Sequence, residues 1–401
     1  MLNLWRLKSS SFIALLIGCS TFFNACAEDS PQRPGRTSGD GNRPPRPSAA
    51  MLEACEGRSS GETCSASQGT GQCFAPRDDL PFACVPGGGR RGRLNTRPDA
   101  QPARFALGPK TDTSAVLCSE SSSAMNADIE LRSEVTWWCT DDTRNLIANG
   151  IPEHTVGAFP NSGNPHQIGA QYVRYTVPLQ PALIEGSTGR SVKLPGYAIN
   201  GIKFDPGTAG RCTSNTVNPK DCDLGFGRGA WRIEALGQDS FDFGEDQNHA
   251  HVQPSGAYHY HGIPEDLLSD AAKAGQEMAL IGWAADGFPI YARFGYVDGV
   301  LKKMQSSYQL KAEPDAGRPD VELIPMGAFT QDYRYVEGLG DLDECNGRVG
   351  KTPEFPDGIY HYYATDTYPF IQRCIKGVAE IAEARRPPAR SGERGGRPPR
   401  R

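Results

Sequence analysis

The sequence predicts a mainly β, disulfide-stabilised sheet or sandwich domain with one or two short helices, accompanied by a small four-cysteine module and disordered linkers. Three observations carry that expectation. Short alternating segments, among them Val173-Arg174-Tyr175-Thr176-Val177, Ser191-Val192-Lys193-Leu194 and Pro289-Ile290-Tyr291-Ala292, read as strands. Gly, Pro, Asn and Asp punctuate them at short intervals, as turns do. The chain holds 12 cysteines. Setting aside Cys19 and Cys26 near the N-terminus leaves an even number, which suits disulfides formed in an oxidising compartment.

Taken in order, residues 1–26 read as a targeting segment. Arg6 and Lys8 precede an apolar run from Ser11 to Phe23 that is too short for a convincing membrane span. The run ends in cysteine twice. Leu16-Ile17-Gly18-Cys19 has the form of a lipobox, and Phe23-Asn24-Ala25-Cys26 follows an apolar region of more usual length. The expectation is lipidation at Cys26, with Cys19 the alternative, and hence a cell-envelope protein held to a membrane by lipid. Residues 27–50 are a Pro/Gly/Arg/Ser tether with too little apolar surface to offset its ordering entropy. Residues 51–86 form the disulfide-rich module of Cys55, Cys64, Cys73 and Cys84, whose pairing the spacing leaves open. Residues 87–109 are a Gly/Arg linker. The main domain spans 110–380, where near-neighbour pairing joins Cys118 to Cys139, Cys212 to Cys222 and Cys345 to Cys374. Residues 381–401 are a basic disordered tail, suited to anionic lipid or cell-wall polymer. One helix is expected, starting at Pro264 with Glu265 and Asp266 in its first turn and reaching toward Ala271-Ala272-Lys273. Net charge is −5, and the Arg-rich tail and linkers leave the centre more acidic still, which argues against nucleic acid as a partner.

An internal repeat stands out. Pro254-Ser255-Gly256-Ala257-Tyr258-His259-Tyr260-His261 recurs as Pro356-Asp357-Gly358-Ile359-Tyr360-His361-Tyr362-Tyr363. Each copy is a turn followed by an alternating strand, so Tyr258 and Tyr260 share one face and His259 and His261 the other. Two related hairpins, side by side in one sheet, would account for it.

These residues carry a resemblance. Tyr258-His259-Tyr260-His261-Gly262 is similar to the signature of the YHYH domain family. The resemblance extends through Asn149–His154, Asn200–Pro206, His251–Pro254, Asp286–Tyr291, Leu342–Gly347 and Gly358–Tyr363, nearly the whole main domain. It implies export, often with lipid anchoring. It brings no agreed activity, so the chemistry has to be argued from the residues.

Five histidines fall in the two repeat regions: His249, His251, His259, His261 and His361. Same-face side chains on paired strands stand about 5 Å apart. Two imidazoles from one strand and one from its neighbour therefore suit a single ion with Zn–N bonds of ~2.0–2.1 Å. The expected ligands are His259, His261 and His251, then His361 and His249, with His154 a weaker sixth. Imidazole suits Cu or Zn. Asp246, Tyr258, Tyr260 and Tyr363 are expected to orient the ligands or complete the shell. The bland alternative is a packed, hydrogen-bonded core strand without metal. Asp239, Asp242, Glu245, Asp246 and Asn248 make an oxygen-rich loop, for which Ca is the weaker expectation and a solvated acidic turn the stronger. The main domain lacks a Gly-x-Ser-x-Gly elbow and a phosphate-cradling Gly loop.

Three functions follow. The first is capture of a transition-metal ion by an envelope lipoprotein. The second is a metal-dependent envelope enzyme, hydrolytic with Asp246, Asp286 or Glu344 as base, or a copper redox site. The third is a structural or adhesion lipoprotein without metal. Neutral-imidazole ligation predicts that affinity falls as pH drops through about 6.5.

Overall fold

The structure, a computed structural model, describes residues 49–58, 62–66, 69–74, 83–86, 106–225 and 227–379. The targeting segment with Cys19 and Cys26, nearly all of the tether, most of the Gly/Arg linker and the basic tail lie outside the described residues.

Strands dominate, as the alternating segments predict. In the four-cysteine module a short helix, Ala49–Glu53, precedes a three-stranded antiparallel sheet of Thr63–Ala66, Gly69–Phe74 and Ala83–Pro86. The pairing left open by spacing is Cys55–Cys73 and Cys64–Cys84. All four half-cystines are buried and form the module's core, which stands in for the large apolar side chains the segment lacks.

The main domain is built on two sheets. One is a four-stranded meander of β1 (Ser119–Asn126), β2 (Leu131–Cys139), β3 (Thr143–Ala148) and β4 (Val173–Pro178). The other has eight strands: β5 (Gly196–Ala198), β6 (Lys203–Phe204), β7 (Ala250–Val252), β8 (Tyr258–Tyr260), β9 (Ala279–Ala284), β10 (Pro289–Ala292), β11 (Gly347–Gly350) and β12 (Ile359–Ala364). Their spatial order is β7-β8-β6-β5-β9-β10-β12-β11. Hairpin partners are antiparallel, whereas β6 with β8 and β10 with β12 run parallel.

The two sheets share one core, in which Val135, Trp137, Leu146 and Val173 meet Phe204, Tyr260, Trp283 and Ile290. Polar ties cross the junction as well. Trp137 Nε1 donates to the Ile199 carbonyl at 2.7 Å. The buried Arg144 guanidinium lies 3.7 Å over the Trp283 ring and donates to the Thr113 and Leu117 carbonyls, so its charge is both stacked and hydrogen-bonded. The hairpin turns β5–β6 and β9–β10 abut the meander. A Cβ on Gly201 would stand 2.4 Å from Ala148 Cβ, and one on Gly287 2.3 Å from the Pro178 carbonyl. Both glycines have positive φ, so turn and close approach together require glycine.

The pairs Cys118–Cys139, Cys212–Cys222 and Cys345–Cys374 are all present as disulfides. Three sequence expectations differ from the structure. The single helix is two short pieces, a 3-10 turn at Glu265–Leu267 and an α-turn at Asp270–Lys273. Leu268 is extended between them, and Ser269 caps the second piece by accepting from the Ala272 N–H. The strand expected at Ser191–Leu194 is only Arg190–Ser191, paired with Cys374–Ile375. Finally, the repeated hairpins do share a sheet but are not side by side: β6, β5, β9 and β10 separate β8 from β12.

Candidate metal centre

β7 and β8 pair antiparallel with His251 directly opposite His259. His261 follows two residues on and returns to the same face, its N–H donating to the His249 carbonyl at 2.8 Å. The three rings meet edge to face, with centroids 4.6 to 4.7 Å apart. Their Nε2 atoms converge: His261 Nε2 stands 3.1 Å from His251 Nε2 and 3.0 Å from His259 Nε2. Ligands ~2.0–2.1 Å from a tetrahedral ion are about 3.3 Å from one another, close to this spacing.

Tautomers follow from the partners. His251 Nδ1 faces the Phe243 carbonyl at 2.8 Å, and His259 Nδ1 the Ala257 carbonyl at 3.2 Å. A carbonyl only accepts, so each Nδ1 carries the proton and each Nε2 turns a lone pair inward. Among the described residues, His261 Nδ1 is buried with no hydrogen-bond partner. With its proton on Nδ1, three lone pairs face one another. With the proton on Nε2, Nδ1 is a buried acceptor without a donor. Either tautomer of the three neutral rings leaves a buried nitrogen unsatisfied, a cost of ~1–3 kcal/mol.

A proton does not relieve this cheaply. His259 and His261 are each only 2% exposed. Burial, first, and the neighbouring imidazoles, second, push both well below the ordinary histidine range. Burial likewise lowers His251, against the pull of its Phe243 hydrogen bond and of Asp205 and Asp246. The rings are therefore neutral at neutral pH, the form in which imidazole binds metal. The cluster is an internal cradle and not the exposed β surface implied by polar residues on a strand, because both faces of β8 are buried.

The other candidates go elsewhere. His249 Nδ1 faces the Ile263 carbonyl at 2.8 Å, and its backbone has positive φ, so it turns away from His251 rather than sharing its face. His361, near the far edge of the sheet, faces the Ile359 carbonyl through Nδ1 and the Tyr363 hydroxyl through Nε2, both at 2.8 Å. His154 Nε2 lies 2.6 Å from the Tyr260 hydroxyl. The expected orienting groups also differ. Tyr258 donates to Asp246 at 2.7 Å, and Tyr260 accepts from Asn200 at 2.9 Å, on the strand face opposite the imidazoles. The groups that orient the cluster are the Phe243 and Ala257 carbonyls, which no side-chain motif announces. His166, too, lies near enough to His251 to oppose its protonation, and as a lone loop histidine it gave no sequence signal.

In the acidic loop, Asp242 accepts from the Gly244 N–H and Asp246 from the Asn248 and Gly157 N–H groups. These oxygens are taken up by backbone N–H groups of the loop and of Gly157 and by the Tyr258 hydroxyl. Among the described residues, the groups of three or more His, Cys, Asp or Glu whose ligand atoms lie within 4.8 Å of one another are two. One is the histidine cluster. The other is Cys55, Cys64 and Cys84, whose sulfurs are already in disulfides.

The fold and site thus define a disulfide-stabilised β protein with a buried three-imidazole cradle. The family model described as YHYH protein matches residues 174–377, and the chain belongs to that family. The match runs from β4 to just beyond the Cys345–Cys374 disulfide, taking in the whole eight-stranded sheet. No curated protein and no solved structure matches the chain.

Proposed function

We propose that this protein binds a transition-metal ion, Zn or Cu, through Nε2 of His251, His259 and His261, as an exported cell-envelope lipoprotein. One observation carries the reading: three neutral imidazoles, two buried and His251 half-buried, turn their Nε2 atoms to one point, where no arrangement of their protons satisfies them all. A cation at that point engages all three Nε2 lone pairs, with the His261 proton then on Nδ1. The nitrogen-only donor set suits Zn(II) or Cu(II) and disfavours Ca. Export is supported by the five disulfides and by the apolar N-terminal run ending in cysteine. Among the described residues no helix is long and apolar enough to cross a membrane, so on this reading attachment falls to lipid at Cys26 or Cys19.

The test is elemental analysis of tag-free full chain. One equivalent of Zn or Cu, lost in both His259→Ala and His261→Ala variants that remain folded, is the expected result. Folded wild-type protein that takes up neither metal sinks the reading and leaves a structural role.

The enzymatic reading has its own support. Among the described residues, the group comprises three histidines with no fourth His, Cys, Asp or Glu. Three protein ligands with one position for water or substrate is the arrangement of hydrolytic zinc sites. Of the bases considered from sequence, Asp246 and Asp286 are committed to tyrosine hydroxyls and Glu344 to Lys376. This favours binding over hydrolysis by those residues.

A further inference from the structure

The order β7-β8-β6-β5-β9-β10-β12-β11 reads the same from both ends when β5–β8 are exchanged for β9–β12. The two-fold runs between β5 and β9, where Gly282 faces Ala198 and Ala284 faces Gly196. The correspondence holds bond by bond. In the first hairpins, Ala198 N–H donates to the Ile202 carbonyl and Ala284 N–H to that of Phe288, both at 2.8 Å. The turns are Asn200-Gly201 and Asp286-Gly287. Asn200 bonds the Tyr260 hydroxyl at 2.9 Å, and Asp286 bonds that of Tyr362 at 2.7 Å. Phe204 is paired with Tyr260 as Ile290 is with Tyr362, both in parallel.

The second hairpins agree as closely. Asp246 accepts from Tyr258 at 2.7 Å, and Asp343 from Tyr360 at 2.9 Å. His249 and Asn346 occupy the same positive-φ corner. The His249 carbonyl accepts from the His261 N–H at 2.8 Å, and the Asn346 carbonyl from the Tyr363 N–H at 2.9 Å. The sequence repeat is thus the visible end of a four-strand unit present twice.

The equivalence places a second cluster opposite the first. His361 stands where His259 stands, its Nδ1 likewise on the carbonyl two residues back. Arg348 pairs with His361 as His251 pairs with His259. Tyr363 takes the place of His261, its hydroxyl 2.8 Å from His361 Nε2 where His261 Nε2 is 3.0 Å from His259 Nε2. We propose that Arg348, His361 and Tyr363 are the second unit's ion cradle, closed to metal because an arginine and a tyrosine stand at two of its three ligand positions. Arg348 brings a permanent positive charge to the site and has no lone pair to offer. Tyr363 supplies the hydroxyl that satisfies His361, so no nitrogen of that imidazole is orphaned. One unit of the sheet holds the ion and its twin carries a built-in cation. The metal part of this inference rests on the proposed function; the duplication does not.

The test restores the ligands. The full-length double variant Arg348→His with Tyr363→His is titrated with Zn(II) beside the wild type. It is also titrated in a background carrying His259→Ala and His261→Ala. The expected result is one equivalent for wild type, two for the double variant, and one for the double variant in the disabled background. A folded double variant that binds one equivalent, and none in the disabled background, overturns the inference and leaves the first site standing. Wild type binding none while the double variant binds one supports the second cradle and overturns the first. Binding by neither overturns both. Should the double variant not fold, Arg348→His alone is read with Cu(II). It keeps the Tyr363 phenol as third ligand, so a phenolate-to-copper charge-transfer band is expected, and a folded variant lacking it counts against the cradle.

Discussion

The two faces of β8 are made of the same few residues and end in opposite states. On one face every tyrosine hydroxyl is answered: Tyr258 by Asp246, Tyr260 by Asn200 and His154. On the other, His259 and His261 point nitrogens at each other and at His251, and His261 Nδ1 has no partner among the described residues. Both faces are buried, so exposure does not explain the contrast. A buried polar network that is complete holds a fold together. Three lone pairs converging without a donor between them are, on the proposed reading, the place of a cation. On the proposed reading, the difference between the faces is the difference between a structural network and a binding site.

The comparison breaks if the histidine face proves dispensable for metal. On the proposed reading, replacing His259 by Ala removes one of three ligands, and Zn(II) or Cu(II) affinity should fall by about 10³-fold or more, since two imidazoles remain. Calorimetric titration checks this. A drop under tenfold would mean the cluster is not the site.

Acid should distinguish the neutral buried imidazoles from surface ones. Burial lowers His361 to about 4, against an ordinary value near 6.5. The folded-state value is the depressed one, so this stabilisation is fully present above pH 6.5. It is lost as pH falls from there toward 4, because the unfolded chain takes up the proton first. The loss should amount to ~3 kcal/mol by pH 4. It is measured as the difference in urea unfolding between wild type and His361→Gln at pH 7 and pH 4. An equal pH dependence in both proteins would contradict a buried neutral His361. The three clustered rings shift in the same direction. Proton competition for the metal should therefore begin below the pH 6.5 expected for exposed histidines.

The tyrosine face should respond in stability and not in metal. Tyr260→Phe strips a hydroxyl from Asn200 and His154 and should cost about 2 kcal/mol by denaturant unfolding. Metal stoichiometry should stay at the wild-type value. A variant that loses metal while keeping its stability would show that the two faces are not separate.

The smallest effect is expected at His249, at the positive-φ corner before β7. His249→Gly relieves a positive-φ backbone and forfeits one hydrogen bond to Ile263. These effects oppose each other, so the unfolding free energy should move by only ~0.5–1 kcal/mol with metal binding unchanged. Loss of metal in this variant would place His249 among the ligands.

Much of this was legible in the chain, for local reasons. Alternation with period two placed the tyrosines and histidines of β8 on opposite faces, because a strand can do nothing else. The spacing His251-x-x-x-x-x-x-x-His259, with a Pro-Ser-Gly turn between, was enough to set the two histidines opposite each other in a hairpin. Disulfides between near neighbours in the main domain followed from loop closure over short separations. What the tertiary structure alone decided was which histidines meet. His249 and His361 carry the same residue type in the same repeats. A left-handed corner turns one aside, and four intervening strands carry the other across the sheet. The burial of the cluster, the carbonyls that fix its tautomers and the symmetric order of the eight strands depend on parallel pairings between segments about sixty to seventy residues apart. Local propensity carries no record of such pairings, since they are chosen by which apolar faces can be buried together.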